Sequence, residues 1–168
     1  LDNTIIILTT DHGEMLGAHG LYCKNIGASE EVYNIPLIMA GPGIEKGAVT
    51  DARVGLHDLC RTILELTGCD TFDVPDSQSF ASVCSDHKSN EREYTKGFAE
   101  YYGGRIWLTQ RVVYDGMWKF VFNGFDFDEL YNLQDDPYEL NNLIDQPKYQ
   151  DKAKQICSYM WQVIKETK

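Results

Sequence analysis

Three residues near the start of the sequence carry the kinds of groups that bind a cation and an anion: Asp11, His12 and Lys24. A carboxylate oxygen beside an imidazole nitrogen suits a divalent cation, and the lysine offers a compact positive charge to an anionic group. Three glycines in the intervening loop allow it to turn tightly and bring its backbone close to a ligand. The structural alternative is that Asp11 caps the next helix and His12 is hydrogen-bonded in a loop.

The first half of the chain, which must position these residues, has the pattern of an α/β fold. Residues 4–10 (TIIILTT) and 34–41 (NIPLIMAG) are continuous apolar runs, typical of strands buried on both faces in a parallel sheet. Ligand sites gather at the carboxyl ends of such strands, where Asp11 and His12 stand. Apolar residues recur at helical spacing over 56–67, and Gly68 follows where a C-cap belongs. Residues 71–90 are mostly polar, which predicts a loop or an irregular segment that covers part of the fold, without regular secondary structure.

The second half predicts a small antiparallel sheet with a terminal helix. Aromatic and β-branched runs at 105–114, 117–123 and 129–133 are separated by turn residues, and Asp115-Gly116 is a hairpin signal. Apolar side chains recur at helical spacing over 147–167, which predicts a helix lying across this sheet. Because the pattern changes near residue 90, the predicted domains are 1–90 and 91–168.

Composition narrows the classes of partner. With 26 acidic against 15 basic residues, the net charge is −11, which disfavours nucleic-acid binding. No apolar run approaches the roughly 20 residues of a membrane span. Seven of the acids lie in 124–145 without a Lys or Arg, and this segment is interpreted as solvated turns.

The five cysteines are scattered without a C-x-x-C pair, which predicts free thiols and by itself favours a cytoplasmic location. The sequence starts without Met, as if entered partway through a chain, so a periplasmic or secreted location stays an alternative.

Two stretches resemble the sulfatases of the alkaline phosphatase superfamily. The segment TTDHGEMLGAHGLYCKN followed by VYNIPLIMAGPGI is similar to the family's C-terminal metal motif, with its Asp-His-Gly-Glu, Leu-Gly-x-His-Gly-Leu and Lys. The segment MWKFVFN followed by DELYNLQDDPYELNNL is similar to the family's aromatic strand, E-L-Y-(D/N)-L strand and D-P-x-E-x-N-N-L turn. The resemblance covers nearly the whole chain except residues 71–90 and the final helix.

The resemblance implies roles for individual residues. Asp11 and His12 match two metal ligands, and the metal of this family is normally Ca²⁺, or in some relatives Mg²⁺ or Mn²⁺. Lys24 matches the lysine that contacts sulfate or phosphate oxygens. His19 is a further candidate, either facing the substrate or ordering the loop. A cation and Lys24 together would offset negative charge on the transferring group and on the leaving oxygen.

Two features of the family do not occur in the sequence. These are the motif C/S-x-P/A-x-R, whose Cys or Ser is oxidised to the formylglycine nucleophile, and the early pair of Asp residues that completes the metal site. The resemblance therefore implies the C-terminal portion of a sulfatase, with formylglycine expected in a missing N-terminal part. This chain alone is expected to be inactive.

The expected fold is α/β: the C-terminal part of an alkaline-phosphatase-like sheet sandwich, followed by a small antiparallel β-sheet subdomain with a C-terminal helix. The implied reaction is hydrolysis of a small sulfate ester or sulfated glycan through a covalent intermediate. The alternatives are a phosphodiesterase or phosphonate monoester hydrolase of the same superfamily, and a catalytically inert binding module. With half the main sheet absent, the strand at residues 4–10 would leave an exposed edge or face that supports homo-oligomers.

Overall fold

The computed structural model describes residues 2–24, 27–72, 75–103 and 108–167. These residues form two compact units, one within 1–11, 36–95 and 167–168, the other within 12–35 and 96–166. The predicted boundary at residue 90 between a catalytic part and a C-terminal subdomain stays a prediction. In chain order the strands and α-helices are β1 (Ile6–Leu8), α1 (Glu30–Tyr33), β2 (Ile38–Ala40), α2 (Leu56–Leu66), α3 (Ala81–Ser85), α4 (His87–Asn90), β3 (Lys96–Tyr101), β4 (Gln110–Asp115), β5 (Trp118–Asn123), β6 (Glu129–Asn132) and α5 (Gln150–Glu166).

The first unit contains a two-stranded sheet. Strands β1 and β2 pair antiparallel, with Ile7 opposite Met39. Met39 packs against the core of this unit, whereas the alternate side chains are 49%, 55% and 62% exposed at Ile6, Leu8 and Ile38. The expectation of parallel, doubly buried strands is therefore wrong for this pair. A continuous apolar run does not encode strand direction, and here only one face of the pair is covered.

Helix α2 confirms the periodicity of residues 56–67. It ends at Leu66 with Thr67 as the C-cap residue, and the following Gly68 takes the left-handed conformation (φ 67°) typical of a helix C-terminus. The loop prediction for 71–90 is wrong in its second half, where α3 and α4 form. Polar groups of α2 secure this region: Asp58 accepts a hydrogen bond from the Gln78 amide (2.8 Å), and Thr62 Oγ1 accepts one from the Phe80 amide (3.1 Å). Helices this short bury too few apolar residues to produce a recognisable period.

The second unit is built on a four-stranded antiparallel sheet in the order β3-β4-β5-β6. Asp115 pairs with Trp118 across the turn at Gly116 (φ 61°), which confirms the predicted hairpin. Strand β3 was not predicted from the sequence. The strand predicted at 105–114 begins at residue 110, and its residues 105–107 lie outside the described residues.

The two faces of this sheet are covered by different segments. On one face, Val113, Phe120 and Leu130 pack against α5, which confirms the helix predicted to lie across the sheet. On the other face, Val112, Tyr114, Val121 and Tyr131 pack against residues 28–33, with Ala28 and Tyr33 in contact. Neither α5 nor any other helix of the described residues is long and apolar enough to cross a membrane.

Candidate functional site

Asp11 belongs to the first unit and follows β1 at a solvent-exposed position. Its Oδ1 accepts a hydrogen bond from Thr10 Oγ1 at 3.2 Å. The next helical turn, Ala18–Gly20, begins after Gly17, so the alternative in which Asp11 caps the following helix is wrong. The position leaves a hard carboxylate donor at the surface of this unit.

His12 begins the second unit, and its ring is half-buried. Nδ1 lies 2.7 Å from the carbonyl oxygen of Gly13, and since a carbonyl oxygen only accepts, Nδ1 carries a proton and donates it. A metal-binding histidine commonly uses this tautomer, with the other ring nitrogen donating to a carbonyl. The sequence alternative, a histidine hydrogen-bonded in a loop, predicts the same contact.

Gly13 fixes where this loop meets α1. Its amide donates to the carbonyl oxygen of Val32 at 2.9 Å. A Cβ atom at position 13 would collide with the backbone carbonyl of Glu31. Glycine is thus required here by close backbone approach rather than by an unusual φ angle.

The loop from 13 to 24 folds through tight turns within the second unit. The Gly17 amide donates to the carbonyl of Leu21 (2.8 Å), and the Leu21 amide donates to the carbonyl of Ala18 (2.9 Å). Met15 is 2% exposed and anchors the loop in the interior. Several residues adopt positive φ, which agrees with the predicted tight turning: Leu16, Gly17, His19, Gly20 and Cys23.

His19 and Lys24 lie in the same unit as His12 but in different surroundings. His19 Nε2 is 3.7 Å from Glu31 Oε2, beyond hydrogen-bond distance, so the imidazole lies beside α1 without a hydrogen bond to this oxygen. This contact supports the loop-ordering role of His19. Lys24 is exposed to solvent and precedes residues 25 and 26, which lie outside the described residues.

A buried ionic cluster, absent from the sequence predictions, lies on the α1 face of the sheet. The ammonium group of Lys119 lies 2.6 Å from Glu139 Oε1 and 3.0 Å from Glu30 Oε1, and it donates to the carbonyl of Ala28. Tyr114 donates its hydroxyl hydrogen to Glu30 Oε1 at 2.7 Å, and the Glu30 amide donates to Glu139 Oε2 at 2.7 Å. The three charges therefore bring together segments that are far apart in the sequence.

Glu139 corrects the interpretation of the acidic segment 124–145 as solvated turns, because this residue is 7% exposed. Burial raises the pKa of its carboxyl group, and the attraction of Lys119 and the amide of Glu30 offset this rise only in part. The available sequence signal was Lys119 itself, a lone charge in the middle of the apolar strand MWKFVFN. A lysine at such a position needs a buried partner.

The described parts of the chain do not by themselves supply a complete set of metal ligands. Within 2–24, 27–72, 75–103 and 108–167, no group of three or more His, Cys, Asp or Glu side chains could hold a metal ion. Asp11 and His12 offer one carboxylate and one imidazole, donor types that fit a divalent cation as part of a larger ligand set. The predicted metal residues are thus chemically suited but insufficient by themselves.

All five cysteines are free thiols, as predicted from their scattered positions. Burial raises the pKa of the Cys84 and Cys157 thiols, which lowers the fraction of reactive thiolate at neutral pH.

A family model described as the C-terminal region of N-sulphoglucosamine sulphohydrolase matches residues 17–166. The uncharacterized sulfatase YidJ of Escherichia coli K12 is 33% identical over 156 residues, covering 89% of this chain and 30% of the relative. The choline-sulfatase of Rhizobium meliloti is 32% identical over 148 residues, covering 88% of this chain and 28% of the relative. The chain therefore spans about three tenths of the length of these relatives.

Solved structures reproduce the fold along nearly the full chain. One is BT4656 in complex with its substrate D-glucosamine-2-N,6-O-disulfate, with a TM-score of 0.86 and 27% identity, covering 99% of this chain and 35% of that one. A phosphonate monoester hydrolase of Agrobacterium radiobacter has a TM-score of 0.79 at 24% identity, covering 96% and 35% of the two chains, a likeness of fold.

Proposed function

Because this chain belongs to the sulfatase family of the alkaline phosphatase superfamily, we propose that the whole protein hydrolyses sulfate esters and that this chain supplies part of its active site. The observation that carries the proposal is the family match over residues 17–166. The adjoining DHG motif and loop, whose geometry is defined by Gly13 and α1, support it. Enzymes of this family use a divalent metal ion and a formylglycine nucleophile.

Asp11 and His12 are the proposed metal ligands of this chain. Their oxygen and nitrogen donors suit Ca²⁺, with Mg²⁺ and Mn²⁺ as alternatives, provided that other residues complete the ligand set. When bound, the cation would supply electrostatic stabilisation of negative charge on the sulfate group. The Nδ1 contact of His12 with the Gly13 carbonyl orients the ring for such a role.

Lys24 is the proposed contact for the sulfate oxygens. Its exposed ammonium group is a compact positive charge on a flexible side chain, which can stabilise the negative charge of the sulfate group during the reaction. His19 is proposed to order the loop through Glu31 rather than to react with substrate, since the two side chains are 3.7 Å apart. The proposed substrate is a small sulfate ester or a sulfated glycan.

Calcium titration of this chain by calorimetry tests the metal ligands. We expect weak binding that is lost in Asp11→Asn and in His12→Ala. Asp51→Asn, at an exposed acid of the first unit, is the matched control and should leave binding unchanged. Equal binding by all variants would remove Asp11 and His12 as ligands. Glycan binding that is insensitive to chelator would favour an inert binding module.

Assays of the whole protein test the reaction. We expect hydrolysis of p-nitrophenyl sulfate and of sulfated glucosamines. Faster hydrolysis of a phosphonate monoester would favour the alternative activity. That alternative is kept because a multifunctional alkaline phosphatase superfamily protein, PehA of Trinickia caryophylli, is 30% identical over 88% of this chain.

The exposed face of β1 and β2 is the proposed route to self-association. Ile6, Leu8 and Ile38 present apolar side chains that are about half exposed, and in the described residues β1 and β2 form a sheet of two strands, each of them an edge strand. Such a surface on the isolated chain favours contact with a second copy.

A further inference from the structure

The side chain of Lys119 is completely buried, yet it carries a charge in the centre of an antiparallel sheet. Desolvating an ammonium group is costly unless carboxylates and carbonyl groups replace the lost water. Glu30, Glu139 and the Ala28 carbonyl provide this replacement. Two of these three groups belong to the segment 28–33, so the charge of Lys119 is satisfied mainly by one short segment.

This segment includes α1, a helix of four residues that is too short to be stable by itself. Its position depends on contacts with the sheet. The Glu30 carboxylate accepts hydrogen bonds from Lys119 and from the Tyr114 hydroxyl. The Glu30 backbone amide donates a hydrogen bond to the Glu139 carboxylate. The cluster thereby fixes the N-terminal end of α1 against β4 and β5.

The same short helix also contacts the loop that begins at His12. The Val32 carbonyl accepts the Gly13 amide at 2.9 Å, and the Glu31 carboxylate lies 3.7 Å from His19 Nε2. The hydrogen bond from Gly13 anchors the loop next to His12, and His19 lies near α1 at a second point. A continuous series of contacts thus runs from Lys119 through α1 to the residue beside the proposed metal ligand, entirely within the second unit.

We propose that Lys119, together with Glu30 and Glu139, is a positioning residue that holds the His12 loop in place through α1. This inference rests on the proposed function for the importance of the loop, but the contacts that carry it do not depend on that function. The ammonium group of Lys119 binds Glu30, Glu139 and the Ala28 carbonyl, so its effect on the loop passes through α1.

Amide hydrogen exchange measured by NMR on the labelled chain tests the proposal. Removing a charged hydrogen-bond partner from α1 should speed exchange at the Gly13 amide by roughly tenfold or more. We expect this in Glu30→Ala and in Lys119→Met, with much smaller changes at Val113 and Phe120 in the sheet. Glu30→Gln, which keeps an acceptor for Lys119 and Tyr114, should restore much of the protection.

Lys152→Met is the matched control, because Lys152 lies on α5, which covers the other face of the sheet, and pairs there with Asp115 at 2.7 Å. It should leave Gly13 unchanged. If Lys119→Met fails to fold, Glu30→Ala decides, since Lys119 then keeps Glu139 as its partner. Unchanged Gly13 exchange in folded Glu30→Ala, or an equal rise throughout the sheet, would overturn the proposal.

Calcium titration of the same variants separates the two proposals. A chain that binds no calcium, but whose Gly13 amide loses protection in Glu30→Ala, supports the positioning role and counts against the metal site. Calcium binding that persists with an unchanged Gly13 amide supports the metal site and overturns the positioning role.

Discussion

The ammonium nitrogen of Lys119 lies 2.6 Å from Oε1 of Glu139, and the two side chains are 0% and 4% exposed. Glu139 adopts a left-handed backbone conformation (φ 52°), which is uncommon for a residue other than glycine. The turn that follows β6 is therefore shaped to bring a carboxylate onto the sheet. Charge pairing in this protein joins the sheet, the acidic turn and α1 in one buried cluster.

Replacing Lys119 by Met should destabilise the chain by about 3–5 kcal/mol, because the buried carboxylates lose their counter-charge. Urea denaturation measures the change. Lys152→Met, which breaks a partly exposed pair, should cost less than about 1 kcal/mol. Adding Glu139→Gln to Lys119→Met should recover part of the loss. Equal effects of the two lysine variants would contradict a buried ionic cluster.

The stability contributed by Glu139 should fall as pH rises. The folded-state pKa of this carboxyl is raised above its ordinary value of 4.5. Its contribution is thus fully present below pH 4.5 and is lost as pH rises through the raised pKa. The difference in unfolding free energy between the unmodified chain and Glu139→Gln should shrink along this rise.

The charged groups that face Glu139 are Lys119 of β5 and Glu30 of α1, and the Tyr131 hydroxyl of β6 is also close enough to sense its charge. The effect of Glu139→Gln should therefore be measured against pH in two backgrounds, the unmodified chain and Glu30→Gln, because the second background lacks the charge of Glu30. A difference in unfolding free energy that grows with pH in both backgrounds would show that the pKa of Glu139 is lowered instead.

Gly13→Ala should destabilise the loop by about 1–3 kcal/mol, because the added methyl group meets the Glu31 carbonyl and forces the backbone apart. Thermal unfolding and calcium titration follow the effect. At Gly27 a Cβ atom would meet Ser29 Oγ at 3.4 Å, an ordinary contact, so Gly27→Ala is the control and should change little. Equal melting temperatures for the two variants would show that the approach of the loop to α1 is not tight.

Light scattering should show self-association of the chain that decreases in Leu8→Lys and in Ile38→Lys. Both side chains lie on the exposed face of the β1–β2 pair, where a charge opposes contact between copies. Val49 is 87% exposed and belongs to neither strand, so Val49→Lys is the control and should leave association unchanged. A monodisperse monomer at high concentration would count against association through this face.

In the whole protein, Lys24→Ala should lower kcat for an aryl sulfate by about 100-fold, because a charge that stabilises the developing anion is removed. Lys46→Ala, at an exposed lysine with no proposed role, is the control. The present chain should not turn over an aryl sulfate with calcium added, since it contains no C/S-x-P/A-x-R motif. Robust turnover by this chain would require a different nucleophile.

Local chemistry explains which predictions from the sequence were correct. The turn at Asp115-Gly116 and the cap at Gly68 follow from residues that tolerate left-handed backbone. Helices α2 and α5 follow from periodic apolar side chains within one segment. The DHG motif and its glycine-rich loop identified the residues proposed for metal and anion binding, although the direction of β2 against β1 could not be obtained in this way.

The sequence by itself determined the family motifs, the turn positions and the longer helices, because each depends on residues close together in the chain. Tertiary structure decided that Glu139 is buried and that Lys119 is satisfied by Glu30, across separations of 109 residues between Glu30 and Glu139 and 89 between Glu30 and Lys119. The free energy of a charge depends on its surroundings, and those surroundings exist only after the sheet, the acidic turn and α1 have packed together.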